Sequence, residues 1–226
     1  MKNLRTIAAI TLTVSAALSL TGCLGGGKLT PAALAKVAKA YGAELYKDPD
    51  EFSADLIEKD EAGGFEDGIY ISAKDRDVKH AVDDVDFIPD CFYNKSIKES
   101  TILALDDKSF CFFMASTYES EEKAEKAYEA IVEYTQIELA DIRISYAADH
   151  YDQDIDYYEE DGITYTLAYL YVHDAYYSPD YAVSLGVYQS GNNVFVAYGR
   201  GPKLKSVNKY LDDICASMGV EAPSEL

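Results

Sequence analysis

Between residues 101 and 218 the apolar positions mostly recur at every second residue, break at short polar turns, and twice switch to the three-and-four spacing of a helix. Thr101 to Leu105 and Ser109 to Ser116 read as two apolar strands joined around Asp106-Asp107-Lys108. A helix begins at once behind them. Ser120 is its N-cap, Glu121 and Glu122 complement the positive end of its dipole, and Ala124, Tyr128, Ile131, Thr135 and Leu139 trace one face. Ile142 to Ala147, Ile155 to Tyr158 and Ile163 to Val172 alternate like strands, the last two joined at Glu160-Asp161-Gly162. Tyr181 to Gln189 and Asn193 to Tyr198 form a further hairpin around Ser190-Gly191-Asn192. From Pro202 the stripe Leu204, Val207, Leu211, Ile214, Cys215 and Met218 predicts a closing helix that Gly219 stops.

The earlier part of the chain is helical by the same reading. Thr30-Pro31 supplies an N-cap and a proline at the first helical position, followed by Leu34, Val37, Ala38, Tyr41 and Leu45. Asp48-Pro49 repeats the start signal for a shorter helix with Phe52, Leu56 and Ile57, ending before Gly63-Gly64. The two predict a helical hairpin. Gly68 to Ala73 reads as a short strand, and Lys74 to Ser100 has no consistent period. The expected fold class is α+β, an antiparallel sheet with helices packed on one face. The strand-to-helix unit from Phe110 to Leu139 echoes that from Val194 to Met218, an arrangement similar to ferredoxin-like folds.

The first 22 residues have a different pattern. Lys2 and Arg5 form a positive leading region, and Ile7 to Leu20 is an uncharged run rich in Ala, Leu and Ile. That run is shorter than the ~20 residues a bilayer span requires. Leu20-Thr21-Gly22-Cys23 follows and resembles the lipobox of bacterial lipoproteins. The resemblance implies that residues 1–22 are a signal peptide, that the Cys23 thiol is diacylated, and that residues 23–29 are a lipidated tether. It also implies a domain on the extracytoplasmic face of the cell membrane. Two acyl chains suffice for stable anchoring. In texture the chain resembles the acidic, tyrosine-rich lipoproteins of Gram-positive gut bacteria. The expected organisation is then a helical segment over 30–62 and an α+β domain over 63–226.

Charge changes the picture of partners. With 40 acidic against 20 basic side chains and a net charge of −20, nucleic acid and anionic surfaces are poor partners, since phosphate binding needs clustered Lys and Arg. Cationic partners suit it better. The basic island after the leader is Arg200, Lys203, Lys205 and Lys209, at the start of the last helix, where positive charge opposes the dipole and calls for a nearby carboxylate or anion. Apart from Cys23, the cysteines are Cys91, Cys111 and Cys215. Cys111 and Cys215 fall on apolar faces and are expected to be buried free thiols.

Three features bear on chemistry. Thirteen of the 20 tyrosines lie between Tyr146 and Tyr210, and Tyr165, Tyr169 and Tyr171 share one face of a predicted strand. Tyrosine combines a large apolar plane with a polar tip, so an exposed face of this kind suits a protein, peptide or glycan ligand. The bland reading is that these rings serve a core without tryptophan and support cross-strand pairs. Second, Asp149, Asp152, Asp154, Asp156, Glu159, Glu160 and Asp161 crowd into 13 residues. Asp152, Asp154 and Asp156 have the spacing of the first three ligands of a calcium loop, although Tyr157 and Ile163 stand where that loop needs Gly and Glu. A solvated acidic edge is the simpler expectation. Third, His80, His150 and His173 are scattered and no nucleophile or zinc motif accompanies them.

The expected function is a non-enzymatic, lipid-anchored binding domain using its acidic, tyrosine-rich surface. The alternatives are a cell-wall-directed hydrolase with paired carboxylates, or an accessory or inhibitor subunit of an exported enzyme.

Overall fold

The structure, a computed structural model, describes residues 29–62, 68–74, 77–82, 96–106, 109–145, 150–173 and 180–226. The segment Leu20-Thr21-Gly22-Cys23 read as a lipobox, and also Cys91 and Asp149, lie outside the described residues. In chain order the elements are α1 (Pro31–Ala40), β1 (Glu44–Tyr46), α2 (Pro49–Ala62), β2 (Ile69–Lys74), α3 (Asp77–His80), β3 (Ile97–Asp106) and β4 (Phe110–Tyr118). They continue with α4 (Glu121–Ser145), β5 (Tyr151–Glu160), β6 (Ile163–Val172), β7 (Tyr181–Ser190), β8 (Asn193–Gly201) and α5 (Leu204–Met218).

The strands form one eight-stranded sheet in the order β1-β2-β3-β4-β8-β7-β6-β5. Only the β1–β2 pair is parallel. The fold class is therefore α+β, as the pattern predicts. The placement of the helices differs from the expectation. Along β4, Phe110, Phe112 and Met114 enter one core while Cys111, Phe113 and Ala115 enter the other, so the centre of the sheet is buried on both faces. Helices α2, α3 and α4 cover the first face through Phe52, Leu56, Val78, Ala124, Ile131 and Leu139. Helices α1 and α5 cover the second through Leu34, Val37, Val207, Leu211 and Ile214.

That arrangement corrects two expectations. Helices α1 and α2 are not a hairpin, because β1 lies between them and the chain passes round the sheet edge, putting one helix on each face. Nor is the connectivity that of a ferredoxin-like fold, in which two strands separate the helices: four strands lie between α4 and α5, and these two helices sit on opposite faces. The antiparallel run Phe110-Cys111-Phe112-Phe113-Met114 is uninterruptedly apolar for the same reason.

Local signals account for most boundaries. The Thr30 side chain accepts the Ala33 amide at the start of α1, and the Lys123 amide donates to Ser120 Oγ at the start of α4. Gly219 closes α5 in the left-handed conformation, φ 74°, with its amide and that of Val220 turned back onto the carbonyls of Ala216 and Cys215. The strand expected at Ile142 is instead the last turns of α4. Leu139 is buried and Ile142 packs on the same core three positions later, so helical spacing governs there. Leu29 is also buried, so the folded body begins at or before that residue.

One close approach fixes α5 against the sheet. A Cβ at Gly199 of β8 would lie 2.5 Å from Val207 Cγ1 and 3.3 Å from both Cys111 Sγ and Leu211 Cδ1. Gly199→Ala is expected to destabilise the fold by about 1–3 kcal/mol, because a helix valine has no free rotamer to yield. Urea unfolding of Gly199→Ala, Val207→Ala and the double variant checks this. The double variant should be more stable than the sum of its parts, and strict additivity would place the strain elsewhere.

Candidate functional site

Of the three tyrosines expected to form an open face, Tyr165 lies in a graded aromatic ladder. Tyr158, Tyr165, Tyr188 and Phe195 are direct register partners across β5, β6, β7 and β8. Their ring centroids are 5.0, 5.7 and 5.5 Å apart in succession, each pair near parallel. Exposure falls along the row from 37% at Tyr158 to 5% at Tyr165 and 0% at Tyr188. Tyr165 therefore belongs to the core and not to an open surface. The segment after α5 covers it: Tyr165 Oη donates to Glu221 Oε2 at 2.6 Å, and Tyr188 Oη donates to the Glu221 carbonyl. Tyr169 and Tyr171 are partly buried on the same side of β6, and Tyr171 Oη donates to Asp180 at 3.1 Å while its ring stacks on His173. Burial, reinforced by Glu221, holds the Tyr165 phenol well above its ordinary range, so its bond to Glu221 persists into alkaline solution.

The exposed part of the tyrosine-rich region lies one strand further out. Along β5 only Gln153 and Ile155 are partly buried, and the other eight residues are exposed. Alternation sends Tyr151, Gln153, Ile155, Tyr157 and Glu159 toward the α4 side, where Ile155 packs against the core that α4 covers. Asp152, Asp154, Asp156, Tyr158 and Glu160 take the other side. Helix α4 overhangs the first row: Gln136 donates to Tyr157 Oη, and the Arg143 guanidinium donates to Tyr151 Oη at 3.3 Å and stacks over its ring. Ile137 and Ile144, one position beyond each of these contacts, are 54% and 69% exposed. Helical spacing turns both away from the sheet, whereas Tyr157, 56% exposed, lies at the strand edge.

The carboxylates do not gather. The acidic segment is a regular strand, longer than the Ile155 to Tyr158 strand expected, and side chains on one of its faces repeat every ~7 Å. Asp152 faces His173 Nε2 at 3.6 Å, Asp154 takes the Ile155 amide at 2.9 Å, and Asp156 accepts from Tyr158 Oη at 3.2 Å. Among the described residues no group of three or more His, Cys, Asp or Glu side chains is placed to hold a metal ion. No described helix is long and apolar enough to cross a membrane.

The basic island resolves differently from expectation. The Arg200 guanidinium sits over Phe110 at 5.2 Å and the Lys209 ammonium over Tyr210 at 5.1 Å, and Lys203 occupies the N-cap of α5 without a side-chain cap bond. Among the described residues no carboxylate forms an ion pair with Lys203, Lys205 or Lys209. Cys111 and Cys215 are buried free thiols, and burial pushes Cys215 up to about 12.

Sequence reasoning missed Tyr151 and Tyr157.

Comparison with protein-family profiles finds no match, and comparison with curated proteins finds none either. Among solved structures the chain is similar to the extracellular domain of PknH from Mycobacterium tuberculosis. That likeness has 8% identity and a TM-score of 0.33, over 57% of this chain and 66% of that one. It spans just under two thirds of the mycobacterial domain, and at that score it carries no argument about fold or function.

Proposed function

We propose that the protein is a lipid-anchored extracytoplasmic domain that binds a protein, peptide or glycan through the acidic, tyrosine-rich surface of β5 and β6. The anchor rests on Leu20-Thr21-Gly22-Cys23 behind a charged and apolar leader. The binding reading rests chiefly on one observation: ten residues of β5 leave Tyr151, Tyr157 and Tyr158 in solvent beside Asp152, Asp154, Asp156, Glu159 and Glu160. Rings with polar tips at a wet rim give contact area at low conformational cost. Tyr169 and Tyr171 extend that surface inward, whereas Tyr165 supports it from beneath.

Two measurements test the reading. Cys23→Ala should abolish incorporation of radiolabelled palmitate and release the chain or leave it uncleaved, and unchanged labelling removes the anchor. For binding, thermal unfolding is followed by circular dichroism with calcium, EDTA, and panels of cell-wall glycans and peptides. A ligand at 100 times its dissociation constant adds about 2.7 kcal/mol of stability. A shift with one glycan or peptide supports the reading. A shift with calcium alone assigns Asp152, Asp154 and Asp156 to a cation, and no shift combined with no cross-linked partner in cells removes the binding function.

A further inference from the structure

β5 ends the sheet, and among the described residues no strand pairs with its outer rim. His173 donates its amide to the His150 carbonyl at 3.3 Å, which continues the β5–β6 ladder through the even-numbered residues. The Ile155 amide is turned to the other side, where Asp154 Oδ1 takes it at 2.9 Å. Inward and outward backbone groups alternate along an edge strand. The outward set is therefore Tyr151, Gln153, Ile155, Tyr157 and Glu159, and no described strand pairs with it. At the opposite rim β1 has only three residues, whereas β5 has ten in unbroken register with β6.

Long regular edges invite pairing with another chain, and proteins usually blunt them with charged side chains, proline or a bulge. β5 has no proline and no bulge, since its sequence is YDQDIDYYEE and its register with β6 shows no shift, and its charges are all acidic, so they repel an acidic strand and not a basic one. What it carries instead is a sided pattern. Asp152, Asp154, Asp156 and Glu160 line one face at the two-residue repeat, and Tyr151 and Tyr157 line the other beside Gln136 and Arg143 of α4. A second copy of the chain paired across a two-fold axis would set acid row against acid row, and like charges directly opposite are destabilising. A strand of opposite sign meets the reverse condition. Its side chains share the two-residue repeat, so basic residues at alternate positions fall against the carboxylates in register while the intervening apolar ones fall on the α4 side. The net charge of −20 attracts the same partner from a distance.

We propose that β5 accepts an extended segment of a protein partner as an added strand, in which Lys or Arg alternates with apolar residues. The basic side chains meet Asp152, Asp154, Asp156 and Glu160, and the apolar ones lie against Tyr151 and Tyr157. This rests on the binding function proposed above and specifies its partner.

The test uses the full chain in nonionic detergent and two labelled peptides of equal composition, Lys-Val-Lys-Val-Lys-Val-Lys-Val-Lys and a block isomer with five lysines followed by four valines. Binding is read by fluorescence anisotropy, and amide hydrogen exchange is followed along β5. The alternating peptide is expected to bind at least tenfold more tightly than the block isomer and to slow exchange at Gln153, Tyr157 and Glu159 at least tenfold. The variant carrying Asp154→Lys and Asp156→Lys, both at exposed positions, should lose most of that binding. Equal binding of the two peptides, or binding without protection of those amides, overturns the proposal. So does protection that grows with protein concentration alone, which would assign the edge to a second copy. If neither peptide binds but a glycan or another ligand raises Tm, strand addition fails and the binding function stands. If nothing binds and no partner cross-links in cells, both fall.

Discussion

Tyr188→Ala is expected to destabilise the folded chain by about 3–5 kcal/mol, the range for removing a large aromatic ring from a rigid core. The ring is fully buried, stacked between Tyr165 and Phe195, and its hydroxyl reaches the Glu221 carbonyl and Cys215 Sγ. Little can move in to fill the space. The ring lies over Gly186, where a Cβ would come within 2.3 Å of Tyr188 Oη, so no neighbouring side chain on β7 collapses into the void. Tyr188→Phe separates the two contributions, since it keeps the ring and removes the hydroxyl with its bonds to the Glu221 carbonyl and Cys215 Sγ, a hydrogen bond being worth about 1 kcal/mol. Urea unfolding of both variants checks the expectation. An alanine variant no less stable than the phenylalanine one would mean that the ladder is not packed as described.

Raising the pH from 8 to 11 is expected to unfold the protein cooperatively. Burial holds the phenols of Tyr165, Tyr188 and Tyr198 well above their ordinary range, helped by Glu221 at Tyr165, by Cys215 at Tyr188 and by Tyr181 at Tyr198. Burial likewise pushes the Cys215 thiol up to about 12. In the unfolded chain these groups ionise near ~10 for tyrosine and ~8.5 for cysteine. Folded-state values above unfolded ones mean that the stability is fully present below the unfolded pKa. It is then lost as the pH rises toward the folded values, because the unfolded chain sheds protons first. Each such group contributes a slope of roughly 1 kcal/mol per pH unit, beginning with Cys215 near ~8.5 and steepening above ~10 with the tyrosines. Absorbance at 295 nm should show exposed tyrosines titrating first and the buried ones only together with loss of the circular dichroism signal. Cys215→Ala should flatten the first part of the curve. Tyrosines that all titrate together while the fold persists would contradict this account.

How far the chain could be read without its structure differs from element to element. β6, β7, β8 and α5 were legible because each carries a complete local signal: an alternating or helical period, a glycine turn, and at α5 a C-terminal glycine. The last turns of α4 were not, since Ile142 and Ile144 alternate like a strand and only the buried Leu139 shows which period applies. The paired tyrosines of β6 were legible as one face, and the burial of that face was not. Tyr165 is covered by Glu221, 56 residues later in the chain, a contact with no signature near residue 165.

By itself the sequence determined the acidic charge, the α+β class and the side on which each residue of β5 to β8 stands, because these depend on composition and on periods of two or 3.6 residues. The tertiary structure decided which face each helix covers, which strand ends the sheet, and hence that Tyr188 lies in the core while Tyr157 faces solvent. The physical reason is that exposure is set by what packs on a face. Here the covering groups, α1, α5 and the segment through Glu221, come from the two ends of the described chain, beyond the reach of any local pattern.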